Sequence, residues 1–103
     1  MENLKLAIND SLEFIYSVEQ NETITSISKK FSTTENLIIL DNNLTKEVEE
    51  GDKIYIKRYN SVYTVCPLDT LESVCNKFNI TKEDLLFENK ITYIYVGERI
   101  VIP

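Results

Sequence analysis

The 103-residue chain has no histidine, and only two glycines, two prolines, two cysteines and one methionine. Without histidine, the commonest general base and the usual nucleophilic triads are missing. Two cysteines, Cys66 and Cys75, make at most half of a structural zinc site, so neither a metal nor another cofactor is expected. Nowhere do roughly 18 apolar residues run together, so no membrane-spanning helix is expected. The opening stretch "MENLKLAIND" carries one lysine and no sustained apolar run, which reads as no secretory signal. The expectation is a protein that is cytoplasmic as synthesised, with both thiols reduced rather than paired in a disulfide.

Basic residues are also in deficit. Eleven Lys and Arg stand against seventeen Asp and Glu, a net charge of −6. Nucleic-acid-binding domains gather positive charge on one face, and anionic membranes attract it, so neither partner is expected. Glu49 and Glu50 pair two carboxylates, but neighbours in sequence rarely face one another across a cleft, and no enzyme is expected. What the chain does have is apolar content, at 43%, enough for a real core.

It also repeats itself. "YSVEQNETITSISKKF", from Tyr16 to Phe31, recurs 47 residues later as "YTVCPLDTLESVCNKF", from Tyr63 to Phe78. Letters or apolar character match along the whole stretch, with Ile24 against Leu71 and Ile27 against Val74. An internal period of this length signals a duplicated structural unit.

Each unit opens with period-two alternation around Tyr16 and Val18, or Tyr63 and Val65, predicting a half-buried strand. The period then changes. Ile24, Ile27, Ser28 and Phe31 share one helical face, as do Leu71, Val74, Cys75 and Phe78. Asp69 with Glu72 has capping-box spacing, which places a helix start there. Thr34 and Thr81 are expected to cap a second helix, with Leu37, Ile38 and Leu40, or Leu85, Leu86 and Phe87, facing inward. Asn42 and Asn89 are expected to end these helices, since Asn tolerates a left-handed conformation. Gly51 and Gly97 then introduce the alternating strands "DKIYIK" and "ERIVIP". The fold class is α+β, two tandem βααβ units. The expected division is residues 1–13 as an N-terminal extension, 14–57 and 63–103 as modules, and 58–62 as a linker without Gly or Pro, short enough to leave the modules touching.

Both repeats resemble the LysM family, whose pattern runs Tyr-x-Val, Gly-Asp-Thr-Leu, Ser-Ile-Ala, an aromatic, Ser or Thr, Asn, and Gly-x-x-Ile-x-Ile-Pro. The second repeat matches at Tyr63, Val65, Asp69, Thr70, Leu71, Ser73, Val74, Phe78, Thr81, Leu85, Asn89, Gly97, Ile100, Ile102 and Pro103. The first matches more loosely, at positions that include Tyr16, Val18, Thr23, Ile24, Ile27, Phe31, Asn42, Gly51 and Ile54.

The resemblance implies binding of glycans that contain N-acetylglucosamine, such as peptidoglycan or chitin, in a shallow groove between two loops. Carried over by position, the candidate residues in repeat two are Pro67, Leu68, Asp69, Thr70 and Leu71 on one side, and Asn89, Ile91, Tyr93 and Tyr95 on the other. In repeat one they are Gln20, Glu22, Thr23 and Ile24, opposite Asn42 and Leu44. Tyr93 and Tyr95 either pack on a sugar face or cover the helix pair, and Tyr16 and Tyr63 read as core residues. The departures fall in these loops. The family glycine is Asn21 or Leu68, and its aspartate is Glu22 in repeat one, so the core pattern is kept better than the site.

"KEVEEGD" reads as a solvated acidic loop, which makes repeat two the better glycan candidate. The alternative function is a structural adaptor that contacts protein in a bacterial assembly such as a spore coat or phage tail. A spore, phage or cell-wall surface is the expected destination in either case.

Overall fold

The computed structural model describes residues 12–103. The expected extension over residues 1–13 therefore lies outside the described residues, apart from Leu12 and Glu13.

Eight elements follow in the order β1 (Glu13–Ser17), α1 (Ile24–Lys30), α2 (Glu35–Asn42), β2 (Lys53–Lys57), β3 (Ser61–Thr64), α3 (Leu71–Phe78), α4 (Lys82–Asn89) and β4 (Arg99–Ile102). Strand β1 pairs antiparallel with β2, placing Tyr16 opposite Ile54; β3 pairs with β4, placing Tyr63 opposite Ile100. The result is two βααβ modules, each a two-stranded sheet covered by two helices. The second strand pair begins at Ser61, so Arg58, Tyr59 and Asn60 separate the modules' strands.

Such a ribbon is marginal in water alone, and each sheet is held by a core of its own. In module one, Val18, Ile24, Ile27, Ile38, Val48, Ile54 and Ile56 pack together; in module two, Val65, Val74, Cys75, Leu85, Ile100 and Ile102 do so. Burying a side chain as completely as Ile27 or Val74 contributes about 1.5–3 kcal/mol. Leu40 and Phe87, expected inside, point out, Phe87 with 79% of its surface exposed. Helices this short bury only a narrow stripe, and Ile38 and Leu85 fill it. Cys75 is buried and Cys66 exposed, and both thiols are free.

Thr34 and Thr81 cap the second helices as expected, accepting from the Leu37 and Asp84 N–H groups. The first helices are capped differently from the prediction. Thr23 with Ser26, and Thr70 with Ser73, form reciprocal capping boxes, so Asp69 stands one residue before the cap.

Asn42 and Asn89 are also not the left-handed residues; Asn43 (φ 53°) and Lys90 (φ 56°) are. The Asn89 amide instead donates to the Leu85 and Val101 carbonyls, both at 2.9 Å, and accepts from the Val101 N–H at 2.7 Å. Asn42 does the same with Ile38 and Tyr55. In a two-stranded sheet one edge of each strand lacks a partner, and these amides serve as one.

Candidate functional site

The loop after each first strand is held by a device built from three matching residues. The Tyr63 hydroxyl donates to Asp69 Oδ2 at 2.6 Å, the same oxygen accepts from the Cys66 N–H at 2.8 Å, and Lys77 Nζ lies 4.7 Å from the Tyr63 ring centre. In module one the Tyr16 hydroxyl donates to Glu22 at 2.7 Å, Glu22 accepts from the Glu19 N–H, and Lys30 sits over the Tyr16 ring. The Tyr63 hydroxyl and the Cys66 amide hold the Asp69 carboxyl below its usual range. Bonds from the Glu19 amide and the Tyr16 hydroxyl do the same for Glu22. Tyr16 and Tyr63 are thus half-buried clasps whose hydroxyls fix the loop, more than the plain core residues expected.

The clasp explains how the loops survive without glycine. Asn21 has φ 68° and Leu68 φ 74°, so both keep the left-handed backbone that a glycine adopts without strain. Asn is tolerated there; a leucine incurs roughly 1–2 kcal/mol. Leu68 is 97% exposed and makes no compensating packing. Both loops therefore hold a left-handed residue without glycine.

The two modules differ at the first turn of the first helix. In module one, Glu47 Oε1 accepts from the Ile24 N–H at 2.8 Å and from the Val48 N–H at 2.9 Å. Within "KEVEEGD", then, Glu47 is a bridge between the two loops and Val48 is buried, rather than all seven residues being solvated. Among the described residues nothing reaches the matching Leu71 N–H in module two.

The remaining candidates divide by burial. Gln20, Thr23, Pro67 and Thr70 are exposed beside the first helices, while Asp69 and Glu22 are half-buried. Leu44, Leu71 and Ile91 pack against the cores, and Ile24 is part of one. Asn89, only 3% exposed, and Asn42 spend their side-chain amides on the strands.

Tyr93 and Tyr95 are exposed, at 69% and 59%, with ring centres 6.4 Å apart. The groove they line, about 500 Å³, is closed on its far side by Thr25, Lys29 and Glu35 of module one, not by Pro67–Leu71. Arg99 Nη1 donates to Ser28 Oγ at 3.2 Å, Asn36 Nδ2 donates to the Asn89 carbonyl at 3.4 Å, and Lys90 pairs with Asp41 at 2.5 Å. These contacts join the modules. A second inter-module groove, about 480 Å³ and more apolar, lies between Leu37, Tyr55 and Tyr59 on one side and Leu86 and Phe87 on the other. No sequence signal marked the module-one wall or the clasp lysines, although Lys30 and Lys77 do recur at the period.

A model of the LysM domain family matches residues 16–57 and 63–103. Solved structures similar to this chain include the spore cortex-lytic enzyme SleL of Bacillus cereus, at 22% identity and TM-score 0.44, and that of Bacillus megaterium QM B1551, at 28% and 0.46. The likeness covers 89% and 90% of this chain but 23% of each of those, so the chain spans less than a quarter of their length. A search of curated proteins finds no match.

Proposed function

The chain belongs to the LysM domain family, whose modules generally bind glycans containing N-acetylglucosamine without catalysing a reaction, and on that premise we propose that it binds such a glycan mainly through module two. The observation that carries this reading is the contrast at the first helical turn. Glu47 takes the Ile24 N–H in module one, whereas among the described residues no group accepts from the Leu71 N–H, which makes it the candidate donor to a ligand. A backbone donor beside a loop of fixed path suits the acetamide carbonyl of the sugar, and apolar Leu71 and Ile91 suit its methyl group. Nothing in this recognition needs a titrating side chain. Peptidoglycan and chitin fragments both present the required group.

Titration of the labelled protein with N-acetylchitotriose, followed by amide chemical shifts, tests the reading. Leu68 to Leu71 and Ile91 are expected to move before Gln20 to Ile24. No movement at millimolar trimer overturns it.

A second reading, a protein-binding adaptor, has the apolar inter-module groove and exposed Phe87 in its favour. Failure of both peptidoglycan and chitin to retain the protein in a pull-down, against a binding LysM control, favours that reading.

A further inference from the structure

We propose that the polar groove between the modules is a second saccharide subsite, one that takes the sugars extending beyond the module-two loop site; this rests on the glycan reading above. Ile91, which belongs to the proposed module-two site, also lines this groove, together with Lys90, Thr92, Tyr93 and Tyr95 of the same loop. A glycan strand that runs from Ile91 toward Tyr93 would enter this groove. At about 500 Å³ the groove falls within the range of ordinary small-molecule sites, and it lies between domains, where such sites are common.

Its chemistry suits a sugar better than an ion or an apolar chain. Tyr93 and Tyr95 offer exposed rings tilted 51° to one another, and such faces pack against the C–H groups of a pyranose. Opposite them, the Thr25 hydroxyl donates to Glu35 and keeps acceptor capacity, while Lys29 has no partner among the described residues. Lysines and Arg99 are balanced closely by Glu35 and Glu98 in the lining, so no strong field of one sign selects a charged ligand. Hydroxyl donors and acceptors together with aromatic faces are the complement of a neutral oligosaccharide.

The groove is also preformed. The Arg99–Ser28 and Asn36–Asn89 hydrogen bonds and the Lys90–Asp41 ion pair hold its two walls in register. Preorganisation limits the ordering cost when a longer ligand spans both sites.

The experiment compares N-acetylchitotriose with N-acetylchitohexaose on the full chain, by calorimetry and amide shifts. The hexamer is expected to move the Thr25, Lys29 and Asn36 amides in addition to those of Leu68 to Leu71, and the trimer only the latter. Lys29→Ala combined with Thr25→Ala, both at exposed positions, should weaken the hexamer about three- to tenfold, as loss of one or two hydrogen bonds would. The trimer affinity should not change. If both oligomers move Leu68 to Leu71 but the hexamer leaves Thr25 and Lys29 still and binds no tighter than the trimer, this inference fails and the module-two site stands. If neither oligomer moves any amide, both fail together.

Discussion

Glu47 Oε1 and the Ile24 N–H, 23 residues apart and separated by 2.8 Å, close the two loops of module one onto each other. The carboxylate occupies the donor that matches the Leu71 N–H of the site proposed in module two, and it favours the positive end of α1. Among the described residues module two has no such bridge; its second loop is one residue shorter and carries Tyr93 where module one has charge.

Removing the bridge should therefore open module one. In Glu47→Ala, the amides of Gln20 to Ile24 should respond to N-acetylchitotriose at concentrations where the wild type responds only in module two. Stability should fall by about 0.3–1 kcal/mol, the range for an exposed charge at a helix start. An unchanged shift map in the variant would mean that Glu47 is not what separates the modules.

Asn89 predicts a larger loss of stability. Its removal leaves the Val101 N–H and carbonyl without their partner in a buried setting. Asn89→Ala should destabilise by about 2–4 kcal/mol, since each buried polar group left unpaired costs about 1–3. Asn42→Ala should lose less, because Asn42 is half-buried and water can replace it. Urea unfolding of both variants orders the two effects.

At Leu68 the usual sign reverses. A leucine-to-glycine change normally destabilises, but here φ is 74° and the side chain touches solvent. Relief of left-handed strain, about 1–2 kcal/mol, opposes the greater freedom of glycine in the unfolded chain, about 0.4–1. Leu68→Gly should leave stability unchanged or raise it by up to about 1.5 kcal/mol. A clear drop in urea midpoint would show that the side chain has a packing role.

The clasps predict an acid-sensitive fold. The carboxyls of Asp69 and Glu22 are held below their ordinary values by the bonds they accept. Groups depressed in the folded state add stability that is complete above their unfolded pKa, near 4, and is lost as pH falls through the folded value. The melting temperature of the wild type should thus exceed that of Asp69→Asn at neutral pH, and the gap should begin to narrow near pH 4 and close only below the folded pKa of Asp69. A gap that persists at low pH would assign the effect to shape rather than to charge.

The period of 47, the alternation at Tyr16 and Tyr63 and the helical faces through Ile27 and Val74 are local patterns, and local patterns dictate which surface each element must bury. The sequence by itself therefore determined the two βααβ units, the inward faces of their first helices and the caps at Thr34 and Thr81. It also marked Asn42 and Asn89 as special, through recurrence, but not why. Their role depends on an open strand edge meeting a helix end, which exists only once the chain has folded. The same holds for Leu68, whose left-handed backbone is imposed by the Tyr63–Asp69 clasp against its own preference. Glu47 in a run of acids looks like any solvated charge until Ile24 is brought beside it. Tyr93 and Tyr95 face module one because Arg99, Asn36 and Lys90 dock the two modules through polar contacts. Such contacts join residues up to 71 positions apart and follow no period, so tertiary structure alone decided where those rings lie.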